Sequence, residues 1–142
     1  EFCTQMLAKL GLEIPALGPG SKTAIHSPNE AVEFLGVELA LDDAGAYQVR
    51  VSEKQLNAIK SSIYTLANID ELKNRNISLA EFGNALASKI SGYSASYDFC
   101  ANHDVLDCRL RDWRAATVSR LMESLGIVAA KLSSNQRWFV GL

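Results

Sequence analysis

The hydrophobic pattern of this 142-residue chain changes period once, at Ser52, and that change limits the folds open to it. Before Ser52, residues 32–41 and 46–51 alternate in the manner of half-buried β-strands. After it, apolar residues recur every three to four positions, as on the buried side of a helix. The pattern predicts an α+β fold in which a small antiparallel sheet is followed by a bundle of three to four helices.

The sheet is predicted from strand and turn composition. Residues 32–41 (VEFLGVELAL) predict one strand, residues 42–45 (DDAG) a hairpin turn and residues 46–51 the return strand. Leu35 and Val37 would share one face of the first strand, and Phe34 and Gly36 the other. Two shorter strands are expected at residues 12–14 and 22–26.

Three long helices are predicted from their N-capping residues and from apolar residues that recur at helical spacing. Ser52 with Gln55 and Ser78 with Glu81 have the spacing of capping boxes. A third helix is expected to start around Asp104, with Asp107 in its first turn, and to stop at Gly126, before a short helix at the end. The expected buried residues are Leu56, Ile59, Ile63, Leu66, Leu79, Phe82, Leu86, Ile90, Leu106, Leu110, Trp113, Leu121 and Leu125.

The first residues, EFCTQMLAKLG, already predict a helix that ends at a glycine cap, Gly11. No Ser, Thr, Asp or Asn precedes this helix as an N-cap. We therefore expect the chain to be a C-terminal piece of a longer protein, or a processed product.

Composition excludes several classes of protein. Apolar residues make up 48% of the chain and charged residues 21%, which is typical of a globular domain and not of a disordered one. Its apolar runs are far shorter than the roughly 20 residues of a membrane span. Three cysteines without a framework spacing favour reduced thiols and a cytoplasmic location.

Charge is unevenly distributed along the chain. The net charge is −2, yet residues 109–142 hold six of the 14 Lys and Arg and only two of the 16 Asp and Glu. A nucleic-acid-binding face, if present, is therefore expected to be local and near the C-terminal third. The alternative is that these arginines form an ordinary solvated helix face.

A family resemblance rests on the order of several short motifs. Leu10-Gly11-Leu12, Lys22-Thr23 and Phe34-Leu35-Gly36 follow one another before the helices, and Tyr97, Asn102 and Leu106-Asp107 lie within them. In this order the chain resembles the end of the palm and the thumb of a bacterial reverse transcriptase of the group II intron or retron kind. The resemblance covers nearly the whole chain in the order and spacing of these motifs.

The resemblance implies a division of the chain and a set of roles. Residues 1–51 would be the last piece of the palm and residues 52–142 the thumb, which binds an RNA template and DNA primer duplex. Phe34, Leu35, Gly36 and Val37 would be the primer grip, and Lys22 would lie near the incoming triphosphate. The expected phosphate contacts are Lys54, Lys60, Arg109, Arg111 and Arg120.

Catalysis is not expected from this chain alone. Reverse transcriptases hold two Mg²⁺ ions with aspartates, some of them in a Tyr-x-Asp-Asp turn, and this tetrapeptide is absent here. Asp42-Asp43 is the only Asp-Asp pair, and it follows Phe-Leu-Gly instead of preceding it. Mg²⁺ is therefore expected only in a complete parent enzyme, and no cofactor in this chain.

Two clusters of residues near the start of the third long helix allow other interpretations. Cys100, His103 and Cys108 could suggest zinc, but they lack the two close ligand pairs of most sites, so structural thiols and no metal are favoured. Asp107, Arg111 and Arg114 could form an ion-paired cluster, with Arg114 inside the apolar stripe. The alternative function for the whole chain is a stand-alone helical protein–protein interaction module.

Overall fold

The computed structural model describes residues 2–11, 13, 26–27, 29–127, 131 and 133–139. The chain divides into two compact units, Glu1–Glu30 and Ala31–Leu142. In the first unit, helix α1 (Phe2–Lys9) is followed by Gly11 at a φ of 70°, the left-handed cap that the sequence predicts. The strands predicted at 12–14 and 22–26, and Lys22 with them, lie outside the described residues apart from Glu13 and His26.

The second unit begins with a three-stranded antiparallel sheet in the order β1–β2–β3, which confirms the α+β prediction. Its strands are Val32–Phe34, Val37–Leu41 and Tyr47–Val51. The turn predicted between β2 and β3 forms around Asp42. Its Oδ1 accepts hydrogen bonds from the backbone N–H groups of Ala44 and Ala46, at 2.9 and 2.8 Å.

The prediction of one continuous strand over residues 32–41 was wrong. Leu35 and Gly36 have φ angles of 50° and 83°, so they form a two-residue turn of type I′ between β1 and β2. The turn places Phe34 directly opposite Val37. Phe34 and Val37, which were predicted on opposite faces, therefore lie on the same face of the sheet.

Helices α2 (Glu53–Tyr64), α4 (Leu79–Ser96) and α5 (His103–Ser124) are the three long helices. The Ser78–Glu81 capping box is complete. At Ser52 only half of the predicted box forms, since Oγ accepts from the Gln55 N–H while the Gln55 side chain bonds elsewhere. The short helices are α3 (Ile69–Asn74), which the sequence reading missed, and α6 (Ser134–Phe139).

Helix α5 lies against α2, α4 and β3, and its buried side chains form the centre of the core. Most of the predicted stripe is buried, but Leu79 and Leu125 are exposed by 57% and 37%. Gly126, with a φ of 72°, ends α5 as predicted. The buried apolar residues are Val51, Leu56, Ile59, Ile63, Leu66, Leu72, Phe82, Leu86, Cys100, Leu106, Leu110, Trp113, Val118, Leu121 and Met122.

Candidate nucleic-acid interface and the cleft between α4 and α5

The tip of the β1–β2 hairpin presents apolar side chains to solvent. Phe34 is 68% exposed and Leu35 84% exposed, whereas Val37 packs against the core. A positive φ is rare and unfavourable for a residue as bulky as leucine. The hairpin therefore holds an exposed leucine in a conformation that asparagine or glycine would adopt at lower cost.

Gly36 lies close to the start of the helical bundle. A Cβ at this position would be 3.1 Å from Cδ of Gln55, so the residue is confined both by its φ and by its neighbour. The Nε2 of Gln55 in turn donates a hydrogen bond to the hydroxyl of Tyr97, at 2.8 Å. The hairpin tip is thus backed by a side chain of α2, which is itself held by the end of α4.

Two of the predicted phosphate-binding cations are already paired with carboxylates. Lys54 Nζ lies 3.1 Å from a carboxylate oxygen of Glu33. Arg109 donates two hydrogen bonds to Glu53, at 3.0 and 2.9 Å. This contact lowers the pKa of Glu53 and raises that of Arg109. Lys54 and Arg109 therefore join elements of the fold instead of offering free positive charge.

Lys60 and Arg120 are brought together over one aromatic ring. The Arg120 guanidinium carbon lies 4.0 Å from the ring centroid of Tyr64, and Lys60 Nζ lies 5.7 Å from it, so both are within cation–π range. Within the described part of the chain, neither cation forms a salt bridge. Lys60 and Arg120 are thus two members of the predicted binding set that have no carboxylate partner among the described residues. The sequence analysis did not predict a role for Tyr64, although its position four residues after Lys60 on a helix indicates that the two side chains are neighbours.

Arg111 lies apart from that pair, in a cleft of about 490 Å³ between α4 and α5. Its Nη2 donates to Cys108 Sγ at 3.2 Å, and its Nε approaches the backbone oxygen of Asp107 at 3.4 Å. Arg114 lines the same cleft and is exposed, so its predicted place within the buried stripe was wrong.

The predicted ion-paired cluster around Asp107 does not form in the described structure. Asp107 Oδ1 accepts a hydrogen bond from Ser94 Oγ at 2.7 Å and lies 3.6 Å from Nε2 of His103. Ser94 and His103 therefore contact one oxygen of the carboxylate that was expected to neutralise Arg111 and Arg114. Sequence reasoning missed Ser94, because nothing in the sequence shows which residue of α4 faces Asp107.

The residues considered for metal binding are dispersed or engaged. Cys100 is buried, which together with Asp98 raises the pKa of its thiol, while Cys108 is exposed on α5. Both carboxylate oxygens of Asp42 accept hydrogen bonds within the β2–β3 hairpin, so the Asp42-Asp43 pair does not fit a magnesium site. Among the described residues, no three His, Cys, Asp or Glu side chains are grouped to hold a metal ion.

Comparison with known proteins gave no relative. No protein-family description, no curated protein and no solved structure matches this chain. Across the described residues, every helix is too short or too polar to cross a bilayer.

Proposed function

We propose that this chain is the end of the palm and the thumb of a reverse transcriptase, and that it positions a template–primer duplex without carrying the catalytic aspartates. The observation that carries the proposal is the hairpin tip. Phe34, Leu35 and Gly36, the residues that resemble a primer grip, form a turn whose two apolar side chains face solvent. Strained backbone at an exposed position is a reason to look for a function there.

A second observation supports the same proposal. Lys60 and Arg120 offer two cations beside Tyr64, without a described carboxylate partner. Such a surface suits phosphate contacts to a duplex, which are independent of sequence and weaken as salt rises. With a net charge of −2, the chain should bind weakly, with a Kd of about 10⁻⁴–10⁻⁶ M.

The proposal is tested by titrating the chain into a labelled RNA–DNA hybrid and following fluorescence anisotropy from ~50 to ~200 mM salt. We expect weak saturable binding that is lost across this range. Lys60→Gln and Arg120→Gln should each weaken it and flatten its salt dependence. Arg50→Gln is the matched control, because it removes the same charge from an exposed position on β3. Absence of saturable binding at low salt would reject the proposal.

The alternative, a protein-interaction module, is favoured by the incomplete cover of the apolar sheet face. Besides Phe34, Leu39 is 42% exposed and Tyr47 59% exposed on this face. Exposed apolar patches often mark contacts with other proteins. If the hybrid does not bind, this second function becomes the better interpretation of the hairpin.

A further inference from the structure

The cleft between α4 and α5 has two arginines on one wall and an apolar floor. Arg111 and Arg114 are three positions apart on α5, so their side chains project from neighbouring positions of the helix surface. Ile90 and Leu110 give the cleft an apolar part, and Asp98 and Asp107 also line it. A volume of about 490 Å³ is within the range of small-molecule sites.

The two guanidinium groups are not neutralised in the described structure. Arg111 contacts only a thiol and a backbone oxygen, and neither arginine forms a salt bridge with a described carboxylate. Asp107, four residues before Arg111 on α5, instead accepts a hydrogen bond from Ser94 and lies 3.6 Å from Nε2 of His103, both through Oδ1. In the described structure Asp107 therefore bonds a hydroxyl of α4 and forms no salt bridge with Arg111.

We propose that this cleft binds a phosphate group carried on an organic body of about nucleoside size. Arginine forks match phosphate oxygens in pairs, and two guanidiniums one helical turn apart can contact one phosphate from two sides. The apolar floor would take the attached body, and Asp98 could accept a hydrogen bond from it. The same chemistry is found in a free mononucleotide and in the phosphorylated end of a nucleic-acid strand.

This site is separate from the proposed duplex face. Arg120 and Lys60 lie against Tyr64 of α2, whereas Arg111 and Arg114 line a cleft that α4 closes on its other side. The cleft proposal therefore does not depend on the reverse-transcriptase proposal.

The test is calorimetric titration of the whole chain with deoxyadenosine monophosphate and with deoxyadenosine. We expect the monophosphate to bind about tenfold or more tightly than the nucleoside, because only it engages the arginines. Arg111→Gln and Arg114→Gln should each weaken monophosphate binding about tenfold. Arg50→Gln should leave it unchanged. Both cleft arginines are exposed, so thermal unfolding should show that these variants fold normally.

A variant of opposite sign sharpens the test. Asp107→Asn removes a negative charge beside the arginines while its amide oxygen can still accept the Ser94 hydrogen bond. It should tighten monophosphate binding, whereas a merely structural role for Asp107 would not. Equal binding of nucleoside and monophosphate, or full binding by Arg114→Gln, would overturn the proposal, as would no binding of either compound at millimolar concentration.

A comparison of three ligands decides whether the cleft binds a mononucleotide or the phosphorylated end of a strand. A short 5′-phosphorylated oligonucleotide is compared with its unphosphorylated form and with the mononucleotide. Stronger binding of the phosphorylated strand end would support the cleft as a site for strand termini. Stronger binding of the mononucleotide would support it as a small-molecule site.

Discussion

Both polar atoms of the Asn102 side chain are bonded to the backbone of Val51, the last residue of β3. Asn102 Oδ1 accepts a hydrogen bond from the Val51 N–H at 2.8 Å, and its Nδ2 donates to the Val51 carbonyl at 3.1 Å. Beside it, the Ala101 N–H donates to the Val49 carbonyl at 2.8 Å. The segment before α5 therefore pairs with the outer edge of β3 as a short strand would, and it fixes the sheet to the central helix.

We predict that Asn102→Ala lowers the free energy of unfolding by about 1–3 kcal/mol, because it leaves both polar groups of Val51 without these partners. Urea denaturation monitored by circular dichroism measures the change. Asn84→Ala, at an exposed position of α4, is the matched control and should be neutral or slightly stabilising. Equal stability of the two variants would contradict the structural role given to Asn102.

Periodicity predicted the helical part well and the sheet less well. The apolar stripe from Leu56 to Leu66 has a single helical interpretation, and every predicted member of it is buried. The break at Leu35–Gly36 was missed because leucine is a rare residue at the first position of a type I′ turn. The bonds between Asn102 and Val51 were not predicted, because they join residues that are distant in the sequence.

We predict that Leu35→Asn raises the free energy of unfolding by about 1 kcal/mol, because asparagine tolerates the positive φ that leucine does not. Urea denaturation is again the measurement. Under the proposed function, the same variant should also weaken hybrid binding, since it removes the most exposed apolar side chain of the hairpin tip. Leu79→Asn, at an exposed leucine in the first turn of α4, is the control and should not stabilise the protein. A destabilised Leu35→Asn would show that the leucine is not strained.

A third prediction concerns stability in acid. The Ser78 hydroxyl and backbone N–H donate to Glu81 at 2.7 and 3.0 Å and lower the pKa of its carboxyl. The stability that this capping box supplies is therefore present at pH values above the usual pKa of a glutamate carboxyl. It is lost as the pH falls through the lowered pKa. Glu81→Gln should flatten the loss of stability over this acidic range, measured as the thermal midpoint against pH. Glu123→Gln, at an exposed site on α5, should leave the dependence of the thermal midpoint on pH unchanged. The same dependence in both variants would argue against the contribution of Glu81.

The binding residues were harder to predict than the fold, because their availability depends on partners from other helices. Arg109 and Arg120 are both arginines of α5. Arg109 is paired with Glu53, whereas Arg120 lies over the ring of Tyr64. From sequence alone we expected both to contact phosphates, and nothing in the local sequence separates them. Which of these arginines has a carboxylate partner becomes visible only when α2 is packed against α5.

We therefore predict that Arg120→Gln weakens hybrid binding several-fold at low salt, whereas Arg109→Gln has a smaller effect on binding. Arg109→Gln removes the double hydrogen bond to Glu53, and the cost in stability should be small because exposed ion pairs contribute little. Anisotropy titrations and urea denaturation of both variants give the two measurements. Equal loss of binding in the two variants would mean that the Arg109–Glu53 pair opens on the nucleic acid.

The last prediction is that the chain does not extend a primer. Polymerisation by this class of enzyme needs two metal ions held by aspartates, and the chain has no Tyr-x-Asp-Asp turn. Asp42-Asp43 cannot substitute for that turn, because both carboxylate oxygens of Asp42 already accept hydrogen bonds, from Ala44, Ala46 and Gln48. With Mg²⁺, a primed RNA template and deoxynucleotides, incorporation should equal that of a no-enzyme control, while an active polymerase run in parallel shows that the assay works. Incorporation above background that disappears in Asp42→Asn would instead identify this aspartate as a metal ligand and overturn the assignment.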